Sequence, residues 1–207
     1  MKVLAPVSFT RISTSALLLL SLATIGSAQA VPGAETPKVA ASQPAPIRID
    51  NFGRISDTYY RGAQPQGRDY ADLAALGVKT VINLTSHDAM ADEQELVEAA
   101  GMKYVALPMT TRVNPTPEQL AAFLALVNDS ATGPVFVHCV GGKHRTGVMS
   151  AVYRMTRDEW TGERAFKEMK QFNFGADFLH PEFKKFVLGY RVPAPTTKAE
   201  SVSVSTN

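Results

Sequence analysis

At 207 residues, 45% hydrophobic and 19% charged, the chain has room for one domain of ordinary size and enough apolar content to fold it, which excludes wholesale disorder and a collagen-like chain. Its single cysteine excludes a disulfide scaffold and any zinc site built on several thiolates. The formal charge of +2 comes from Lys2 and Arg11, and from Val31 onward 19 basic side chains balance 19 acidic ones, so no net basic field draws nucleic acid or an anionic membrane surface.

Lys2 and Arg11 precede an apolar run from Ala16 to Ile25 that ends in Ser27-Ala28-Gln29-Ala30, with small residues in an A-x-A arrangement. A positive start, an apolar core of about ten residues and small residues at its end describe a secretory leader, residues 1–30, cleaved after Ala30. A membrane-spanning helix needs about 20 apolar residues. The mature chain is therefore expected to be exported, periplasmic or secreted, without stable membrane insertion after cleavage. Residues 31–46 read as a flexible Pro/Ala spacer and 193–207 as a disordered tail, leaving 47–192 as the domain.

Within the domain, Gly77 closes a predicted helix over Asp69–Leu76, and Val78–Leu84 reads as a buried strand. Asp92–Ala100 is a helix closed by Gly101, and Met102–Leu107 is a strand stopped by Pro108. Thr116 as cap, with Pro117 at the first helical position, opens a helix to Asn128. Pro134–His138 is a third short apolar strand, a helix starts near Arg145, and helical stretches follow at Thr161–Phe172 and Pro181–Tyr190. Such alternation predicts an α/β fold, a mainly parallel sheet with helices on both faces. Ligands in such folds bind beyond the C-terminal strand ends, which places the chemistry just after His138.

The segment joining that strand to its helix is His138-Cys-Val-Gly-Gly-Lys-His-Arg-Thr-Gly147. Its glycines permit torsions and close approaches that side chains block, so the loop can aim N–H groups of Val140, Gly141, Gly142, Lys143, His144, Arg145 and Thr146 at an anion. The G-x-x-x-x-G-K-[S/T] spacing of a nucleotide-binding loop is absent. A helix N-terminus and nearby cations favour a thiolate at Cys139. Arg145 supplies a planar fork for two phosphate oxygens, and the Thr146 hydroxyl is placed to donate to the sulfur. His138 and Gly147 support the loop, His138 by hydrogen bonding. Lys143 is either a solvated cation or a guide for polyanionic substrates.

The run matches the H-C-x-x-G-x-x-R-[S/T]-G signature at every fixed position and resembles the cysteine-dependent protein tyrosine and dual-specificity phosphatase superfamily, over about residues 51–190. Its Gly-Lys-His-Arg-Thr-Gly form is similar to the atypical dual-specificity branch, which includes inositol pyrophosphate phosphatases. Tyr60-Arg-Gly-Ala-Gln-Pro65 resembles a strand-and-turn segment near the start of related bacterial phosphatase domains; it is either a substrate contact or an edge strand with a proline turn. The resemblance implies a nucleophilic Cys139, a phosphate clamp at Arg145, and a general-acid aspartate about 30 to 40 residues before the cysteine. The corresponding Pro108–Pro117 stretch holds no Asp or Glu. Glu118 belongs to a first helical turn, Asp88 follows a strand and can overhang the pocket, and His144 occupies a position where some relatives carry an acidic residue. Asp88 and His144 are the two acid candidates. Arg112 is a surface cation or an extra phosphate contact.

These readings imply a phosphomonoesterase that forms a phosphocysteine and needs neither cofactor nor metal. Its partner is a phosphorylated protein or a small-molecule phosphate ester, with phosphotyrosine and other aryl phosphates first and inositol phosphates or pyrophosphates second. A sulfurtransferase or arsenate reductase, and a noncatalytic phosphate-binding module, are the alternatives of other classes.

Overall fold

A computed structural model describes residues 46–193. The expected leader, the spacer up to residue 45 and the tail from residue 194 lie outside the described residues. Among the described residues no helix is long and apolar enough to cross a membrane.

The chain forms β1 (Gly53–Ser56), β2 (Tyr59–Gly62), α1 (Asp69–Ala75), β3 (Thr80–Asn83), α2 (Glu93–Ala99), β4 (Lys103–Ala106), α3 (Pro117–Asn128), β5 (Val135–His138), α4 (Arg145–Arg157), α5 (Gly162–Gln171) and α6 (Pro181–Gly189). Every strand and helix predicted from local pattern is present, each trimmed by no more than two residues at an end. The helix boundaries follow capping chemistry. At α3, Thr116 Oγ1 accepts from the Gln119 amide at 3.2 Å while Gln119 Oε1 accepts from the Thr116 amide at 2.8 Å, closing both ends of a capping box.

The strands form one sheet in the order β1-β2-β5-β3-β4, parallel throughout except for the β1–β2 hairpin. Two features depart from the sequence reading. The strand β1 is additional. The Tyr60–Pro65 segment is not at an edge: β2 lies between β1 and β5, because the hairpin covers its outer side. An arginine in the run Tyr-Tyr-Arg-Gly reads against a buried strand, and only its tertiary partners accommodate it.

Alternation along the strands fills both faces. Tyr60, Val81 and Phe136 pack with Tyr70 and Leu73 of α1 and Val97 of α2. Tyr59, Ile82, Val135 and Val137 pack on the other side with Phe123 of α3 and Met149 and Tyr153 of α4. The far side of α4 is covered by Ala165, Phe166 and Met169 of α5 and Phe183 and Val187 of α6. Trp160 lies between those helices, with the Arg154 and Arg164 guanidiniums 4.4 and 3.9 Å from its ring centre. The strand leading to Cys139 is therefore the central one. Its C-terminal end has the end of β2 on one side and that of β3 on the other.

Candidate active site

The loop between β5 and α4 has its carbonyls held from outside. Val140 O accepts from the Gln64 amide at 3.1 Å, Gly141 O from Asn51 Nδ2 at 2.7 Å, and Gly142 O from Arg61 Nη2. A trans peptide points its N–H opposite to its C=O, so these three bonds turn the amides of Gly141, Gly142 and Lys143 toward the concave side. Gly142 makes this close approach possible. Its φ is +62°, and a Cβ there would fall 2.4–2.6 Å from the backbone of Gly62 and Ala63. The helix α4 starts at Arg145 without a side-chain cap, and the backbone N–H groups of residues 140–147 have no acceptor among the described residues. A row of open amides at the positive end of a 13-residue helix is an anion cradle.

Cys139 opens this loop and is buried, 3% exposed. Arg145 is also buried and has partners already. Its Nη1 and Nη2 donate to the two carboxylate oxygens of Asp88 at 2.9 and 2.6 Å, and Nη1 reaches the Met109 carbonyl at 3.2 Å. Asp88 thus engages the guanidinium end-on and leaves the Nε edge of the fork outside the pair. The Arg145 guanidinium holds Asp88 well below the ordinary carboxylate range. Burial opposes the Arg145 charge, but Asp88 and the neighbouring Cys139 sulfur outweigh it and raise the arginine's pKa.

The other predicted residues are placed as follows. His144 donates from or accepts at its Nε2 only toward a carbonyl, so Nε2–H donates to Phe174 O at 3.0 Å; its ring packs on His180, centroids 3.7 Å apart. Burial, and then His180, lower its pKa. With Nε2 carrying the proton of the neutral ring, Nδ1 has none to give. Glu118 is exposed in the first turn of α3. Thr146 Oγ1 is buried and makes no hydrogen bond, so the hydroxyl–sulfur bond expected from the sequence is not formed. Lys143 and Arg112 are exposed, the latter with Nη1 3.4 Å from the Leu179 carbonyl. Gly147 is buried against Met169.

Beneath the loop lies a polar cluster that the sequence did not disclose. Glu93, at the start of α2, is fully buried. It accepts from Gln64 Nε2 at 2.6 Å and Asn83 Nδ2 at 2.5 Å, and His138 Nε2 lies 2.9 Å from its Oε1, out of line for a straight hydrogen bond; neither ring nitrogen of His138 is hydrogen-bonded, so the loop support expected of it through hydrogen bonds is not formed. An acid in a first helical turn reads as a dipole partner, so nothing local distinguishes Glu93. Asn51, Arg61 and Gln64 were equally hidden as loop supports; the Tyr60–Pro65 resemblance was the one signal, and two of the three belong to it.

Comparison with known proteins gives the same direction. A family model described as DSP-PTPase phosphatase fused to NAD+ kinase matches residues 49–183. The dual specificity protein phosphatase TpbA of Pseudomonas aeruginosa is 33% identical over 125 residues, 60% of this chain and 56% of the relative. The inositol diphosphatase SIW14 of Saccharomyces cerevisiae is 26% identical over 133 residues, 62% of this chain and 47% of the relative. The chain thus spans about half the length of these curated relatives. The crystal structure of P. aeruginosa TpbA in complex with pTyr superposes with a TM-score of 0.59 at 29% identity, over 74% of this chain and 92% of that one.

Proposed function

The chain belongs to the DSP-PTPase phosphatase family, and on that premise we propose that it is a phosphomonoesterase acting through a phosphocysteine, with phosphotyrosine and other aryl phosphates as its leading substrates. The observation that carries this reading is the loop, where a buried thiol, an arginine fork and a row of inward amides share one cradle. Cys139 Sγ attacks phosphorus, and the bond from phosphorus to the leaving oxygen breaks. The amides and the free edge of Arg145 stabilise the charge on the other three oxygens. Water then attacks the phosphocysteine, the sulfur–phosphorus bond breaks, and phosphate leaves.

The rim supports an aryl substrate. Five large hydrophobic side chains are exposed among the described residues; Val140 belongs to the loop itself, and Val113, Phe178 and Leu179 lie on the two segments next to it. Contacts of neighbouring residues support that proximity: Arg145 with the Met109 carbonyl, Arg112 with the Leu179 carbonyl, and His180 with His144. An apolar rim suits a ring and the peptide surface around it. Two clefts of about 390 Å³ border Val140; one sets Asp50 and Asp69 against Arg48, with Asp88 already paired to Arg145, and disfavours a polyanion, while the other sets Lys143 against Asp50. Inositol pyrophosphates are the second reading, supported by the exposed Lys143 and Arg112 and by the activity for which SIW14 is named.

The deciding experiment is hydrolysis of p-nitrophenyl phosphate in EDTA with and without vanadate, followed by kcat/KM for a phosphotyrosine peptide and an inositol pyrophosphate. Metal-independent, vanadate-blocked turnover with the peptide preferred is the expected result. No turnover would leave a phosphate-binding module, and preference for the pyrophosphate would reverse the two substrates. Export is part of the proposal: the charged start, apolar run and A-x-A site of residues 1–30 support it. N-terminal sequencing of the exported protein should begin at Val31.

A further inference from the structure

Arg61 occupies the third position of β2, opposite Val137 of β5. Alternate residues of a strand share a face, so Arg61 lies on the side of the sheet to which Cys139, two residues beyond Val137, also belongs. The side chain is fully buried. Its Nη2 donates to the Gly142 carbonyl, its guanidinium carbon lies 4.0 Å from the centre of the Phe172 ring, and Nε and Nη1 have no hydrogen-bond partner. None of the carboxylates among the described residues pairs with it; the nearby Glu168 is engaged by Arg154 at 2.7 Å. Burial lowers the Arg61 pKa to about 10, which leaves it charged at neutral pH.

A buried cation with no direct ion pair is costly and is rare for that reason, and the anion that the mechanism places on its face of the sheet is the Cys139 thiolate. The polar group it does touch is a carbonyl of the anion cradle, and on the other side of that peptide plane is the Lys143 N–H, which faces the concave side. We propose that Arg61 is a positioning residue and the second cation of the phosphate site, acting from behind the loop, with its charge matched when a phosphoryl group enters from the front. The proposal rests on the reading of the loop as a phosphate site. It has two parts: the bond to Gly142 aims an amide, and the unpaired charge adds an attraction that solvent screens little because it is buried.

The test is calorimetric binding of inorganic phosphate and vanadate, at low and high salt, with parallel thermal unfolding, for wild type, Arg61→Gln and Arg61→Lys. Glutamine, about two bonds shorter than arginine, removes both the charge and the donor to the Gly142 carbonyl; lysine keeps the charge and a donor. Arg61→Gln should bind phosphate about tenfold more weakly or worse, at both salt concentrations, while the ligand-free variant melts no lower than wild type because an unpaired buried charge has gone. Arg61→Lys, which keeps the charge but loses the stacking on Phe172, should recover most of that loss. The proposal is overturned if Arg61→Gln binds phosphate as wild type does, or if Arg61→Lys binds no better than Arg61→Gln. Should Arg61→Gln not fold, Arg61→Lys decides: affinity near wild type supports the charge, and a tenfold loss rejects it. Failure of wild type itself to bind phosphate or vanadate would instead remove the underlying reading of the loop.

Discussion

Two loops follow parallel strands on either side of β3, and the fold treats them differently. The loop after β5 has three successive carbonyls bound by residues that lie far away in sequence, with Asn51 and Gly141 separated by 90 positions. The loop after β4 is fastened at its base, where the Met109 amide reaches Leu84 O at 3.1 Å and Gln119 Nε2 reaches Pro108 O at 2.6 Å. Between residues 110 and 114 its one hydrogen bond among the described residues runs from Arg112 to Leu179 O at 3.4 Å, and most of that stretch is exposed. One loop is a preorganised anion cradle. The other, where the family resemblance would seat a proton donor, has neither a carboxylate nor the bonds that would hold one still. Charge stabilisation is built into this protein more firmly than proton delivery.

The most severe way to break the contrast is to alter the first loop. Cys139→Ser should reduce turnover of p-nitrophenyl phosphate to background while phosphate still binds, because a serine hydroxyl without a base is a poor nucleophile. Arg145→Lys should lower kcat by about 10² to 10³, since an ammonium cannot reproduce a bidentate fork; near-wild-type kcat would show that Arg145 is not the clamp. Gly142→Ala should cost about 1–3 kcal/mol of stability from its left-handed φ alone, and more from the clash with Gly62 and Ala63. Thermal unfolding together with phosphate binding would register both losses.

The second loop sharpens the comparison through the leaving group. A positioned general acid is worth about 10² to 10⁴ in rate, most for basic leaving groups. With Asp88 held ionised by Arg145 and His144 held neutral by burial, kcat/KM should fall steeply as the phenol becomes more basic. Asp88→Ala, His144→Ala and Glu118→Ala should leave that slope in place. A shallow slope in wild type that steepens in one variant would identify the acid.

Smaller effects appear in pH-dependent stability. The folded-state pKa of Asp88 is depressed, so its pairing stabilises the fold above the ordinary carboxylate value of about 3.9 and loses effect as pH falls below it. Asp88→Asn should therefore flatten the acid limb of the melting curve. The His144 pKa is also lowered, so protonation favours the unfolded chain as pH drops below about 6.5. His144→Gln should be relatively more stable there than wild type. The smallest expected change is at the rim: Phe178→Ser should reduce kcat/KM for a phosphotyrosine peptide severalfold and leave p-nitrophenyl phosphate unaffected. An equal loss on both substrates would place Phe178 in the fold's support instead.

What the sequence determined by itself was everything whose cause is local. The capping box at Thr116 and the turn glycines Gly77 and Gly101, with φ of +97° and +78°, mark helix ends within a few residues of the groups they satisfy. The apolar strands and the loop from His138 to Gly147 are equally contiguous, so their identity survives without knowledge of the fold. Tertiary structure alone decided which side chains surround that loop. Asp88 meets Arg145 across 57 positions and Arg61 meets Gly142 across 81, because parallel pairing brings the ends of β2 and β3 beside β5. Glu93 reads locally as a helix-dipole acid and His144 as a general-acid candidate, yet one is the buried centre of a hydrogen-bond cluster and the other is turned toward Phe174 O and His180. Local periodicity records which face of an element is apolar; it carries no record of the distant polar group that will satisfy a buried one.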